Sequence, residues 1–225
     1  MSSLQFAHLH LHTQYSLLDG ANKLPDVLEH AYSLGQPAIA MTDHGNLHGA
    51  IEFYLEGKRI GIKPIIGCEL YVARGSRFDR KTRAQGGGGA YHLTVLASDL
   101  AGYRNLCKLV SLAYKDGFYF KPRVDHELLG AYSQGLIVLS GCLSSELSEY
   151  VATDDMQAAR KLVEFYATTF QDRFYLEVQP HALKEQNRLN LACAELSKAL
   201  GLPLVATTDC HYLKSDDHHA QEVLM

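Results

Sequence analysis

The chain has 225 residues, 47% hydrophobic and 20% charged, a composition that excludes disorder and fibres and suits one large domain with a buried core. A net charge of −4 provides no overall basic footprint for nucleic acid and leaves only a local patch open. No apolar run is long enough to span a membrane, no secretory signal opens the chain, and five irregularly spaced cysteines argue against a disulfide framework, so a soluble, cytoplasmic protein with no membrane partner is expected.

The first predicted element is a strand over 5–11, QFAHLHL, which carries His8 and His10 and runs straight into His12, so that the three fall at alternate positions. Residues two apart on a strand share a face, so the three imidazoles either converge on a metal or line an exposed edge. A helix near 24–34 follows, then a strand over 37–42 that runs into Thr42-Asp43-His44-Gly45-Asn46. Asp43 and His44 there form either a ligand with its supporting partner or a plain turn with a helix cap. After a helix near 46–60, the strand 64–72 holds Glu69 among apolar neighbours, where an unpaired carboxylate is costly and a cation or strand-end ion pair would relieve it.

Residues 73–90 read as an extended loop with Arg74, Arg77, Arg80, Lys81 and Arg83, and His92 opens the next strand, 91–97. A helix near 99–115 leads to the strand 136–140, followed by Ser140-Gly-Cys142, whose thiol is either inert or, near a divalent ion, a ligand. Helices near 143–151 and 154–170, a strand over 174–178, a helix near 182–200 stopped by Gly201 and Pro203, and a strand over 203–207 complete the pattern. That last strand delivers Asp209 and His211, with Cys210 facing away. His30, His126 and His181 fall on other faces and read as structural or solvent-exposed.

Repeated strand–helix alternation predicts parallel strands with helical crossovers, either an α/β barrel or a doubly wound sheet. No linker divides the chain, so residues 1–225 form one domain, and helix-compatible DDHHAQEVLM running to Met225 suggests the front part of a longer protein. In a parallel barrel the strand ends gather one active site, and several of these strands place His, Asp, Glu or Cys there.

Six segments resemble the PHP (polymerase and histidinol phosphatase) family: His10-x-His12-Thr13, Tyr15-Ser-Leu-Leu-Asp-Gly20, Thr42-Asp-His-Gly-Asn-Leu47, Ile66-Gly-Cys-Glu-Leu-Tyr71, Gly135-Leu-Ile-Val-Leu-Ser-Gly-Cys142 and Ala206-Thr-Thr-Asp-Cys-His211. The likeness is to the PHP domains that begin bacterial replicative polymerase alpha subunits, and nothing matches a polymerase palm, fingers or thumb. It implies a distorted, TIM-like barrel of seven strands and three divalent ions, zinc, manganese or iron. It places His10, His12 and Asp209 on the first ion with a bridging Glu69, Glu69, His92 and Cys142 on the second, and Asp19, His44 and His211 on the third. His8 and Asp43 would then support the ligands from behind.

The implied activity is 3′–5′ exonuclease proofreading, by metal-dependent hydrolysis of 3′-terminal DNA phosphodiesters. Asp209, His211 and Glu69 would be central to catalysis, and a metal-bridging water or hydroxide, not a side chain, would be the nucleophile. Arg77, Arg80 and Arg83, with Lys121 and Arg123, are candidates for the DNA backbone. Implied partners are the DNA 3′ end, the other polymerase domains of the same chain and other replicase subunits. The competing readings are a small-molecule phosphatase acting on histidinol phosphate and a metal-stabilised docking domain with vestigial catalysis.

Overall fold

A computed structural model describes residues 6–80 and 89–225. The elements in chain order are α1 (Leu24–Ser33), β1 (Ala38–Met41), α2 (Ala50–Ile60), β2 (Lys63–Ala73), β3 (Ala90–Ala97), α3 (Leu100–Lys115), β4 (Arg123–Val124), α4 (His126–Ala131), β5 (Leu136–Leu139), α5 (Glu146–Ala152), α6 (Met156–Phe170), β6 (Phe174–Val178), α7 (Lys184–Leu200), β7 (Leu204–Ala206) and α8 (His218–Leu224). Local chemistry sets most of the boundaries. Asp99, Asp125, Ser145 and Asp155 cap α3, α4, α5 and α6 by accepting backbone N–H bonds, and the left-handed Gly61 and Gly201 end α2 and α7.

One curled sheet of seven strands runs β1-β2-β3-β5-β6-β7, with β4 beside the far end of β2. The segment 8–12 lies between its two ends. On one side Ala40 N–H donates to the His8 carbonyl and Thr42 N–H to the Leu11 carbonyl (2.8 Å each); on the other, His12 N–H donates to the Cys210 carbonyl (2.8 Å). This seam closes the curl into a distorted barrel. The predicted first strand is therefore a bridging segment with isolated pairings, Leu11 to Cys210 and Thr13 to Asn22, and not a regular ladder.

The expectation of uniformly parallel strands needs correction at β3, which pairs antiparallel with both β2 and β5. A parallel neighbour needs a long crossover, usually helical, whereas β2 and β3 are joined by the connection 74–89, whose described part is not helical.

Strand alternation then sorts the side chains. Cys68, Leu70 and Val72 of β2, Leu93 and Val95 of β3, and Phe174 and Leu176 of β6 face outward into the main apolar core, shared with α3, α6 and α7. A second cluster packs Leu11, Ile39 and Met41 against α1 and α2. By the same parity Glu69, His92 and Glu177 point into the barrel.

Candidate metal centre

Side chains from both ends of the chain and from the middle of the sheet meet inside the barrel. His10 Nε2 lies 3.2 Å from Glu69 Oε1 and 3.3 Å from Asp209 Oδ1, and His12 Nε2 lies 3.2 Å from the same Asp209 oxygen. His92 Nδ1 is 3.0 Å from Glu69 Oε2, with Cys142 Sγ 3.8 Å from Glu69 Oε1. His44 Nε2 is 3.0 Å from Asp19 Oδ2, and His211 Nε2 is 3.8 Å from it. Ligand atoms of His10, His12 and Glu69, of His44, Glu69 and His92, and of His12, His44 and His211 each fall within 4.8 Å of one another. Glu69 thus sits at the centre, and the structure brings all nine predicted ligand residues together.

The outer shell aims these groups. His10 Nδ1 meets Glu177 Oε1 at 2.7 Å, so the Nδ1–H donates outward and Nε2 faces the cluster, where loss of its proton to an arriving cation would expose a lone pair. His12 Nδ1 is held at 3.0 Å by Ser16 Oγ, which donates to Asp43 Oδ1 at 2.7 Å, while Asp43 also accepts from the N–H and hydroxyl of Thr13. Asp209 has φ +49°, a left-handed backbone that aspartate tolerates better than most residues and that marks the position as constrained. Gly20 is required beside Asp19, because a Cβ there would lie 2.0 Å from the Thr13 carbonyl oxygen.

Two observations test the fit of a cation. First, His10 Nε2, His12 Nε2, His44 Nδ1, Asp19 Oδ1, Glu69 Oε2 and Asp209 Oδ1 are shielded from solvent and have no hydrogen-bond partner, a costly state for six neighbouring polar atoms. Second, the carboxylates of Asp19, Glu69, Glu177 and Asp209 have no lysine or arginine partner among the described residues, and histidines are their only potentially cationic partners. Burial opposes ionisation of Glu69, yet the imidazoles of His10, His44 and His92 crowded around it hold its carboxyl well below the usual range. Burial likewise opposes ionisation of Asp209, and His10 and His12 overcome it.

The histidines answer in kind. Burial pulls His44 down, but Asp19 and Glu69 outweigh it and lift its pKa to about 9. Burial also works against His10, and Asp209 and Glu177 raise it well above normal. His12 is lowered, burial prevailing, and burial with Glu69 pushes the Cys142 thiol upward. The anionic groups demand positive charge, which protonated imidazoles supply here and divalent cations would supply in their place. The donor set of imidazole, carboxylate and one thiol suits zinc, manganese or iron.

Other predicted residues lie elsewhere. His8 faces away from the cluster, its Nδ1 3.0 Å from Thr208 Oγ1 and 3.4 Å from Cys210 Sγ, because the seam turns its neighbourhood outward. Arg77, 12% exposed, pairs with Asp125 at 2.8 Å. Arg80 donates to the carbonyls of Arg77 and Asp116, and the buried Arg123 to those of Gly117, Arg77 and Asp79. Arg74 is tied to Glu149. Arg77 and Arg123 are thus drawn into the fold, whereas Arg74 and Arg80 stay exposed; Lys81 and Arg83 lie outside the described residues. Glu177 escaped sequence reasoning although its signal, an acid within the apolar strand FYLEV, is the one that exposed Glu69.

Comparison with known proteins agrees with this architecture. The model of the family described as PHP domain matches residues 8–181. Curated relatives named DNA polymerase III subunit alpha are 50% identical over the whole chain in Thermus aquaticus, 47% over 98% of it in Deinococcus radiodurans and 45% over 99% in Aquifex aeolicus. The chain spans only 18%, 17% and 20% of those relatives' lengths. Among solved structures, a Bifidobacterium adolescentis protein described as a candidate metal-dependent phosphoesterase superposes with a TM-score of 0.55 at 15% identity, covering 100% of this chain and 98% of that one. A Chromobacterium violaceum amidohydrolase with bound sulfate and no metal gives 0.57 at 15% identity, over 97% and 96% of the two chains. The family match runs without a break from the histidine-bearing seam through Glu69, His92 and Cys142 to the strand of Glu177, and the chain belongs to the PHP domain family.

Proposed function

We propose that the pocket binds divalent metal ions and hydrolyses phosphodiesters, and that its reaction is removal of nucleotides from a DNA 3′ end. The observation that carries this is the convergence of six solvent-shielded, unpartnered nitrogen and oxygen atoms on one space. In this reading His10, His12, Asp209 and Glu69 hold one ion, Glu69, His92 and Cys142 a second, and Asp19, His44 and His211 a third. Such ions would make water easier to ionise at neutral pH and neutralise phosphate charge.

The chain's own groups do the rest. Glu177 fixes the His10 tautomer, and Ser16 with Asp43 fixes that of His12, so both Nε2 lone pairs stay aimed inward. Cys142 serves as a ligand and not as a nucleophile. The buried walls of the barrel limit water around the central Glu69 and lower the local dielectric. DNA is favoured as substrate by relatives that carry the name DNA polymerase III subunit alpha. Their greater length supports a place for this chain as one domain of a cytoplasmic replicative polymerase, with the remaining polymerase domains and replicase subunits as partners.

The test is chelator-sensitive release of 3′ nucleotides from a recessed duplex, compared between the protein and its Asp209→Ala, His211→Ala double variant. Loss of release in the variant is expected, and unchanged release would refute the assignment. Faster turnover of histidinol phosphate would replace DNA with a small phosphomonoester. Bound metal with neither activity would leave the metals a structural role.

A further inference from the structure

Beside the pocket the chain makes a turn that packing does not explain. In Gly117-Phe-Tyr-Phe-Lys-Pro122 the Tyr119 N–H donates to the Lys121 carbonyl at 3.0 Å, which leaves Phe120 at the apex. Phe120 has φ +60°, in the left-handed region where any side chain but glycine's raises the energy. The residue is 81% exposed, and its ring meets the Tyr119 ring edge-on at 4.7 Å. A strained backbone that presents an aromatic ring to water gains little for the fold, and strain of this kind clusters at ligand sites. Exposed Phe118 and Tyr114, with rings 6.1 Å apart, extend the aromatic strip.

The turn is joined directly to the metal centre. Lys121 Nζ lies 5.1 Å from the centre of the Tyr71 ring, which in turn lies 5.2 Å from His92 and 6.0 Å from His44. Pro122 and Tyr71 close around Gly45, where an added Cβ would come within 3.0 Å of each, so the turn is anchored to the loop that carries His44. Lys121 is exposed and makes no ion pair among the described residues, unlike Arg74 and Arg77 nearby.

We propose that this turn is a platform for the single-stranded end of a polynucleotide, on which Phe120 stacks against a nucleobase and the Lys121 ammonium meets a backbone phosphate at the mouth of the pocket. It rests on the phosphodiesterase reading of the pocket and names the substrate as a polynucleotide strand. Every base has a π-face, so aromatic stacking beside a cation grips single strands with little sequence preference. A small phosphomonoester without a base would leave Phe120 idle.

The experiment measures fluorescence anisotropy of the whole protein with a labelled dodecathymidylate, and with the same oligonucleotide made abasic at its three 3′-terminal positions, in excess EDTA. Because binding is read without hydrolysis, failure of the catalytic assignment and failure of this one give separate results. The protein is expected to prefer the intact strand about tenfold, the effect of one stacked base. Phe120→Ala removes that preference and Phe120→Trp retains it. Lys121→Ala weakens both ligands alike and lowers the salt dependence by about one phosphate contact. Phe120→Gly loses the preference while its melting temperature stays at or above that of the parent, since glycine relieves the backbone. Retention of the preference in Phe120→Ala would overturn the proposal and point instead to a protein-contact role for the exposed ring. So would the absence of any preference in the parent protein.

Discussion

Replacing Glu177 by glutamine probes how far the metal centre depends on a residue that does not belong to the ligand set. Glu177 Oε1 faces His10 Nδ1 at 2.7 Å, Thr207 Oγ1 at 2.5 Å and Gln179 Nε2 at 3.2 Å; Oε2 faces Gly141 N at 3.1 Å and Thr94 Oγ1 at 3.4 Å. Nearly all of these are donors, and the glutamine NH2 must confront one side. The cheaper choice turns it toward Oε2, where Thr94 can rotate to accept but the Gly141 N–H is left buried and unpaired. That orphan costs about 1–3 kcal/mol, and conversion of the remaining bonds from charged to neutral costs on the order of 1 kcal/mol more. At 225 residues a loss of about 3 kcal/mol lowers the melting temperature by roughly 6–12 °C. The His10 tautomer survives but its Nε2 becomes less basic, so metal affinity should fall about 10- to 100-fold, as for other supporting carboxylates. Thermal unfolding of metal-free protein and competition with a chromogenic zinc chelator read the two effects separately. Metal affinity within twofold of the parent, alongside lowered stability, would refute the positioning role and leave Glu177 a brace of the fold.

The raised pKa of His44, about 9 against 6.5, has a definite sign: its folded-state protonation stabilises the metal-free protein fully below about pH 6.5, and that stability is lost as pH rises toward 9. Melting temperatures of metal-free protein should therefore decline across that window. Zinc added at pH 8 in weak buffer should release protons from the site, visible with an indicator dye, and uptake without release would contradict ligation by His44. Arg77→Ala should lower stability by about 1–3 kcal/mol, because it strands the buried Asp125 that caps α4, while leaving the salt dependence of DNA binding unchanged. Denaturant unfolding together with a salt titration of binding checks both halves.

Much of the fold was legible because its strands are short apolar runs bounded by glycine, proline and polar loops. Six candidates, from 37–42 to 203–207, fall on β1, β2, β3, β5, β6 and β7. The two-residue β4 and six-residue α4 carry too little periodicity to register. The direction of β3 was hidden because apolar pattern fixes which face a strand buries and not which way it runs. Alternation correctly grouped His10 with His12, and an acid inside an apolar strand singled out Glu69, but the same alternation put His8 with them, and it faces away. The arginines were less legible for a physical reason: a basic loop looks the same in sequence whether its guanidiniums face solvent or, like Arg77 and Arg123, satisfy buried carboxylates and carbonyls.

The seam that joins residues 8–12 to Cys210 has a consequence for biosynthesis. His10 and His12 leave the ribosome first, yet Asp209 and His211 follow almost two hundred residues later, so no complete centre exists until residue 211 has been translated. Closing so long a loop costs roughly 5 kcal/mol of chain entropy, and a captured cation would repay it at one stroke, acting as a late clasp on the nascent barrel. Metal starvation in a growing cell would then show itself first as slow maturation of new chains, before any loss from those already assembled.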